Sequence, residues 1–371
     1  MALHMQTEVA GAVEIDRFLA RLVKLKGSDL HLTAGLPPVM RIDGVLRPLE
    51  GVPAVPATSI RETIYSILTQ AQRERFEQDW ELDIAYSVRG TGRFRVNVLM
   101  QRSTIGAVFR VIPFDIPALE ELGLPDAVRA LADIPKGLVL VTGATGSGKS
   151  TTLASIIDVI NREQRKHIVT IEDPIEFLHH HKGCVVDQRQ VGTDTRSFAI
   201  ALRQVLRQDP DVILVGEMRD TETVSAAITA AETGHLVLAT LHTQDAPQSI
   251  DRIIDVFQPH QQAQIRTQLS STLQAVLSQQ LLPRADKPGR VVATEILLAT
   301  PAVRNVIRES KTHQLFSLMQ AGGQFGMRTM DASLAELANT GKITREAALA
   351  VSSSPKDLDA MMKGSSRVRN I

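Results

Sequence analysis

One octapeptide constrains this chain more than anything else in it. Gly143-Ala144-Thr145-Gly146-Ser147-Gly148-Lys149-Ser150 matches the G-x-x-x-x-G-K-[ST] pattern of a phosphate-cradling loop. It follows directly on an apolar run, Leu138 to Val141, and Thr151 carries it into a segment of helical character. A loop of this kind leaves the C-terminal end of a buried strand and opens a helix, so the fold around it is expected to be α/β. Its glycines let successive backbone N–H groups turn inward on phosphate oxygens, and the helix N-terminus adds partial positive charge. Lys149 is expected to neutralise the β/γ-phosphate oxygens of a nucleotide and the Ser150 hydroxyl to ligate Mg²⁺; the loop grips phosphates and ignores the base, so it leaves ATP and GTP both open.

The surrounding pattern agrees. Apolar runs at 138–141, 168–171, 212–215 and 236–241 alternate with helical segments near 150–161, 197–208 and 221–233. That alternation implies a parallel sheet covered by helices on both faces. Beyond about residue 245 the chain reads as mostly helical, with one more strand near 290–298 and C-terminal helices from about 301. The Ser-, Lys- and Gly-rich tail from about 352 is expected to be mobile. Upstream, Arg93 to Val98 alternates, with Phe94, Val96 and Val98 on one face and Arg93, Arg95 and Asn97 on the other. Helical spacing over 58–79 completes an α+β domain. Two prolines in Ile112-Pro113-Phe114-Asp115-Ile116-Pro117 mark a linker at 113–117. Domains are therefore expected at 1–113 and 114–371, within the two or three units that 371 residues suggest at roughly 150 each.

A phosphate loop needs a carboxylate from a neighbouring strand end to hold Mg²⁺ and another to orient water. Glu217 ends the apolar run Val212 to Val215 and is expected on the metal side. Glu172, Asp173 and Glu176 follow the run ending at Ile171, and spacing alone leaves open which of them is the general base. His242 ends the run 236–241 on the same edge, whereas His235 precedes it and is expected at the opposite end. His179-His180-His181 reads as an exposed polar loop, because consecutive residues of a strand cannot converge on one metal.

Composition removes other classes. Lys+Arg and Asp+Glu both number 41, so the net charge is zero and the basic excess typical of a nucleic-acid binder is missing. The single cysteine, Cys184, excludes an intramolecular disulfide or a cysteine-cluster zinc site and fits a reducing cytoplasm. No apolar run approaches the roughly 18–20 residues that span a bilayer.

Several motifs together resemble the secretion-type ATPases, the hexameric motors of type II secretion and type IV pili. Pro210-Asp211 with Gly216-Glu217-Met218-Arg219-Asp220 is similar to the family signature; Thr170 to Phe177 resembles its Asp box and Gly234 to Thr243 its His box. Ser28 to Leu32 and Gly92 to Asn97 resemble the N-terminal domain of the pilus-retraction branch. Ala302 to Glu309 resembles a C-terminal motif of that branch. The resemblance implies a PAS-like N-terminal domain, a RecA-like ATPase domain and a homohexamer. It implies Glu176 as catalytic glutamate, Glu217 as an atypical Walker B residue, and His235 and His242 as site residues. Arg93, Arg95 and Arg110 would neutralise phosphate charge. One departure is Ala144, where the family usually has proline. The implied function is ATP-driven pilus retraction at the inner face of the cytoplasmic membrane. Membrane contact would come only through partners: an inner-membrane platform protein and a paralogous pilus ATPase, with no nucleic acid. An accessory retraction paralogue or an assembly or secretion ATPase is the rival, and Cys184 alone cannot supply the zinc motif of the latter. A nucleic-acid translocase is more remote.

Overall fold

The computed structural model describes residues 15–112 and 115–368. The chain divides into two compact units between Phe114 and Asp115. Pro113 and Phe114, the start of the expected linker, lie outside the described residues.

The N-terminal unit is a six-stranded antiparallel sheet in the order β3-β2-β1-β6-β5-β4. Its strands are β1 (Asp29–Leu32), β2 (Val39–Ile42), β3 (Val45–Pro48), β4 (Glu81–Val88), β5 (Gly92–Gln101) and β6 (Thr104–Ile112). The alternation over 93–98 is realised in β5: Phe94, Val96 and Val98 are fully buried and Arg95 is exposed. Helices α1 (Ile15–Lys24), α2 (Ala57–Ile67) and α3 (Gln70–Asp79) accompany the sheet, and Leu19, Leu22, Ile60, Ile64 and Phe76 share its core. The expected single helical segment over 58–79 is two helices. Thr69 interrupts it by capping α3, its hydroxyl accepting from Gln72 N while the Gln72 side chain accepts from Thr69 N.

The second unit holds a seven-stranded sheet in the order β13-β12-β7-β11-β10-β8-β9. Its strands are β7 (Gly137–Thr142), β8 (His167–Glu172), β9 (Val185–Gln190), β10 (Val212–Val215), β11 (Leu236–Leu241), β12 (Leu273–Pro283) and β13 (Arg290–Leu298). Every pairing is parallel except β12 with β13. The short α4 (Asp126–Arg129) precedes β7; α5 (Lys149–Glu163), α6 (Phe198–Val205), α7 (Thr221–Glu232), α8 (Ala246–Asp255) and α9 (Pro259–Thr272) follow in the crossovers. Successive residues of β7 serve opposite cores. Leu138 and Leu140 pack with α6, α7 and α8, while Val139 and Val141 pack with Ile156, Ile157 and Ile160 of α5. Helices α10 (Pro301–Arg308), α11 (Leu315–Ala321), α12 (Met330–Asn339), α13 (Arg345–Val351) and α14 (Pro355–Val368) complete the unit.

Three expectations need correction. The stretch beyond 245 is less helical than expected, because Leu273–Pro283 is an eleven-residue strand. Its Leu-Gln-Ala-rich sequence suits a helix, but pairing with β7 on one side and β13 on the other overrides that propensity. The edge strand β9 was also not anticipated. The tail expected to be mobile forms α14, whose Leu358 and Met362, one turn apart, bury against Leu334 and Leu337 of α12. Among the described residues no helix is long and apolar enough to cross a membrane.

Glu295 of β13 is buried and accepts the Ala246 N–H at the start of α8 at 2.8 Å. Burial, with the charges of Asp245 and Asp331 added, pushes its carboxyl up to about 7, against backbone hydrogen bonds from Ala246 and Met330. A folded pKa above the unfolded value means the folded state holds the extra proton between about 4.5 and 7, so stability falls as pH rises through that window. The rise corresponds to a loss on the order of 3 kcal/mol by pH 8. Urea unfolding of the wild type and Glu295→Gln at pH 5 and pH 8 should show that slope in the former and a much flatter one in the latter.

Candidate nucleotide-binding site

The parallel order brings the C-terminal ends of β7, β11, β10 and β8 to one edge of the second unit, and the phosphate loop leaves from that edge. Gly143, Gly146 and Gly148 take φ of 139°, 80° and 91°, and Gly148 is the N-cap of α5. At Gly143 the requirement is steric as well, since a Cβ there would lie 2.4 Å from the Gln279 carbonyl oxygen of β12. Ala144, Thr145 and Gly146 form the exposed crest; Ser147 and Lys149 are buried; Ser150 and Thr151 occupy the first turn of α5, half-buried. The fit to a polyphosphate rests on two features. Lys149 Nζ donates to the loop's own Gly143 and Ala144 carbonyls at 2.8 and 3.0 Å, holding the loop curled, and Ser147 Oγ is buried without a protein partner. Burial lowers the Lys149 amine, while the charges of Glu217 and Glu176 oppose the shift. Both carboxylates are therefore near enough to act on that one ammonium.

Glu217 follows β10. Its Oε1 accepts from Arg219 Nε at 2.5 Å and meets His242 Nε2 at 3.1 Å. Burial alone would raise this carboxyl; the Arg219 hydrogen bond and the charges of His242 and Arg219 win and hold it below its ordinary range. An ionised oxygen donor of this kind, together with the Ser150 hydroxyl, is the ligand type that suits a hard divalent cation such as Mg²⁺.

Glu172, at the end of β8, is the buried member of the acidic group. It accepts from Thr170 Oγ1 at 2.6 Å, Gln188 Nε2 at 3.2 Å and Glu176 N at 3.4 Å. Burial pushes its carboxyl up against these hydrogen bonds. Glu176 and Asp173 are exposed. Among the described residues none hydrogen-bonds the Glu176 carboxylate, which leaves it available to a water. Strand ends are stitched together around these groups: Gly216 N donates to Ile171 O at 2.8 Å, Met218 N to Thr240 O at 3.2 Å and Thr240 Oγ1 to Gly216 O at 2.5 Å.

Lys149, Ser150, Glu176, Glu217 and His242 thus meet at one edge, and within this unit His235 does not join them. His235 precedes β11 opposite Gly137, where its Nδ1 contacts Ala230 O at 2.9 Å. The six residues of a parallel strand separate it from the phosphate loop by roughly 20 Å. Arg110 belongs to the N-terminal unit, where its Nε donates to Asp29 Oδ1 at 2.8 Å. His179 departs from the exposed loop expected for 179–181: its Nδ1 has no solvent contact. Gln188, Thr240 and His179 were not anticipated at the site. Thr240 is a lone polar residue in an apolar strand and carries no periodic signal, while Gln188 sits among other polar residues on β9, a strand itself unforeseen.

The model of the family described as "Type II/IV secretion system protein" matches residues 12–306. The chain belongs to that family of P-loop ATPases. It is 50% identical over 334 residues to the type IV pilus retraction ATPase PilT of Pseudomonas aeruginosa, covering 90% of this chain and 96% of that one. It is 45% identical to the type IV pilus ATPase PilU of the same organism, covering 95% and 92%. A crystal structure of the pilus retraction motor PilT with bound ADP superposes with a TM-score of 0.88 at 48% identity, covering 94% of this chain and 99% of that one. The α/β ATPase fold expected from the phosphate loop is that of the secretion ATPase family.

Gly143→Ala should remove nucleotide binding, because the Cβ collides with β12 and φ is in the left-handed region. Titration with a fluorescent ADP analogue should show affinity reduced by about 10²-fold or more, with far-UV circular dichroism unchanged.

Proposed function

We propose that this chain is the ATP-hydrolysing motor of type IV pilus retraction, and thus of twitching motility. The observation that carries the reading is a phosphate loop whose lysine feels the charges of Glu217 and Glu176, in a chain 50% identical over 90% of its length to a retraction ATPase. The loop amides and Lys149 bind the triphosphate. Glu176, exposed and without a hydrogen-bonded partner, takes the proton of the attacking water. Ser150 and Glu217 would hold Mg²⁺, which supplies positive charge to the phosphate oxygens when bound. His242 and Arg219 keep Glu217 ionised and fixed in orientation. Arg110, side chain 67% exposed and anchored at Nε, is proposed to neutralise phosphate charge. His235 is left without a role at this edge.

The finer architecture belongs to the same reading. The N-terminal antiparallel sheet with its helices is proposed as a PAS-like domain on residues 1–113, and residues 114–371 as a RecA-like domain with helices from 301. A homohexamer that docks on an inner-membrane platform protein at the pilus base, on the cytoplasmic side, would transmit the force. A paralogous pilus ATPase would be a further partner. The second reading is an accessory retraction ATPase, favoured by the 45% identity to PilU.

The C-terminal motif divides into two faces. Val303, Val306 and Ile307 are buried, and Arg304 donates to the Ser270 and Ser271 carbonyls at 2.8 and 2.7 Å, closing the end of α9. Asn305, Arg308 and Glu309 are exposed and are the residues a partner can reach.

Lys149→Ala should lower ATP turnover by about 10²-fold or more with the fold retained. Glu217→Ala should bind nucleotide yet hydrolyse it poorly, measured by phosphate release. In a retraction-deficient strain, the wild-type chain should restore twitching; restoration only when a second retraction ATPase is present would favour the accessory reading. Arg308→Glu should impair twitching while ATP turnover stays within about twofold of wild type, since the residue lies outside the site.

A further inference from the structure

Beside the strand ends lies a small cavity of about 30 Å³, lined by Ser150, Glu172, Glu176, His179, Gly216 and Thr240 among others. A space of this size admits one or two water molecules. Two of its polar walls differ in how far they are satisfied. Glu172 already accepts at both oxygens, from Thr170 and Gln188 at Oε1 and from Glu176 N at Oε2. His179 Nδ1, by contrast, is shut off from bulk solvent and has no protein partner. Buried ring nitrogens without a partner are rare, and an interior water is the usual solution.

Several hydrogen bonds hold the backbone segment that carries this histidine. Asn161, near the end of the helix that the phosphate loop opens, donates to His180 O at 2.7 Å and accepts from Lys182 N and Cys184 N at 3.1 and 3.3 Å. Asp158, one turn earlier, holds Lys182 Nζ at 2.6 Å. From the other side Gln188 Oε1 accepts from His179 N at 2.8 Å, while its Nε2 reaches Phe177 O and Glu172. The histidine is therefore fixed to α5 and to β9 together, three residues beyond Glu176.

We propose that His179 is a positioning residue for ATP hydrolysis: through Nδ1 it holds a water in the cavity it shares with Glu176, and that water fixes the Glu176 carboxylate. The inference deepens the reading above and rests on Glu176 being the base. Burial, only partly opposed by the Asp158 charge, lowers the ring to about 4, so at neutral pH it is a neutral hydrogen-bonding group with a proton on one ring nitrogen only. No proton passes to it; the proton from the attacking water stays with Glu176.

The test uses the full chain with steady-state ATP turnover, fluorescent ADP affinity and thermal unfolding, on wild type, His179→Phe, His179→Asn, Glu176→Gln and the double variant Glu176→Gln with His179→Phe. His179→Phe should lower kcat about tenfold or more with KM within about twofold, as expected when a supporting hydrogen bond to a reacting group is lost. The polar His179→Asn, whose amide sits near the position of Nδ1, should recover most of that loss. In the Glu176→Gln background the same substitution should change kcat by less than about twofold, because the histidine acts through the carboxylate. Unchanged kcat in His179→Phe overturns the proposal, as does an equal loss in His179→Asn accompanied by lowered unfolding temperature. So does a further tenfold fall in the double variant. Should His179→Phe not fold, His179→Ala takes its place in the same comparison, and a kcat loss that adds fully to that of Glu176→Gln overturns the proposal. A wild-type chain without ATP turnover overturns the underlying reading itself, an outcome distinct from an active chain indifferent to position 179.

Discussion

Parallel alignment of β7, β11, β10 and β8 is the constraint on which the rest of the second unit depends. Strands buried on both faces have no room for chemistry along their length; Leu138 to Val141, Ile168 to Ile171, Val212 to Val215 and Leu236 to Leu241 carry apolar side chains almost without exception. Polar groups can emerge only where the strands stop. Because all four run the same way, they stop together, and the groups just past their ends are neighbours however far apart they lie in sequence. The phosphate loop, Glu217 and His242 follow the ends of their strands, and Glu172 is the last residue of its own. Their convergence is a result of direction and register, with little demanded of the loops themselves.

Electrostatics then separates these neighbours into roles. Two carboxylates facing one buried ammonium could have collapsed into a closed salt bridge. Lys149 instead binds its own loop, and Glu217 is held by His242 and Arg219. Each group keeps its charge near the others without being neutralised by them. A polyphosphate entering such a site replaces weak internal contacts, and the dipoles are already oriented before it arrives. The stitching of Gly216, Ile171 and Thr240 holds the strand ends at fixed spacing.

Legibility in the sequence follows from how local each cause is. The loop, the strand runs and the carboxylates after them could be read directly, because apolar continuity followed by a polar residue is a short-range signal. The alternation of Phe94, Val96 and Val98 was equally plain. What escaped depended on distant partners. Leu273–Pro283 has no strand pattern of its own and becomes one by lying between β7 and β13. Gln188 matters through Glu172 and His179, which only the β8–β9 pairing brings close. His179 looked like its two neighbours, and three identical residues give no hint that one turns inward. The sharpest departure in meaning is Arg304: legible in the sequence only as part of a family-like motif, it closes the end of a helix.

The close approach of Gly143 to the Gln279 carbonyl ties the beginning of the nucleotide loop to a strand made more than a hundred residues later. During synthesis the octapeptide emerges well before its floor exists. A nascent chain that has reached only α8 carries the full phosphate motif yet lacks the strand against which the loop is shaped. The wall that the loop turns against is therefore a long-range contact, completed only when β12 lies beside β7.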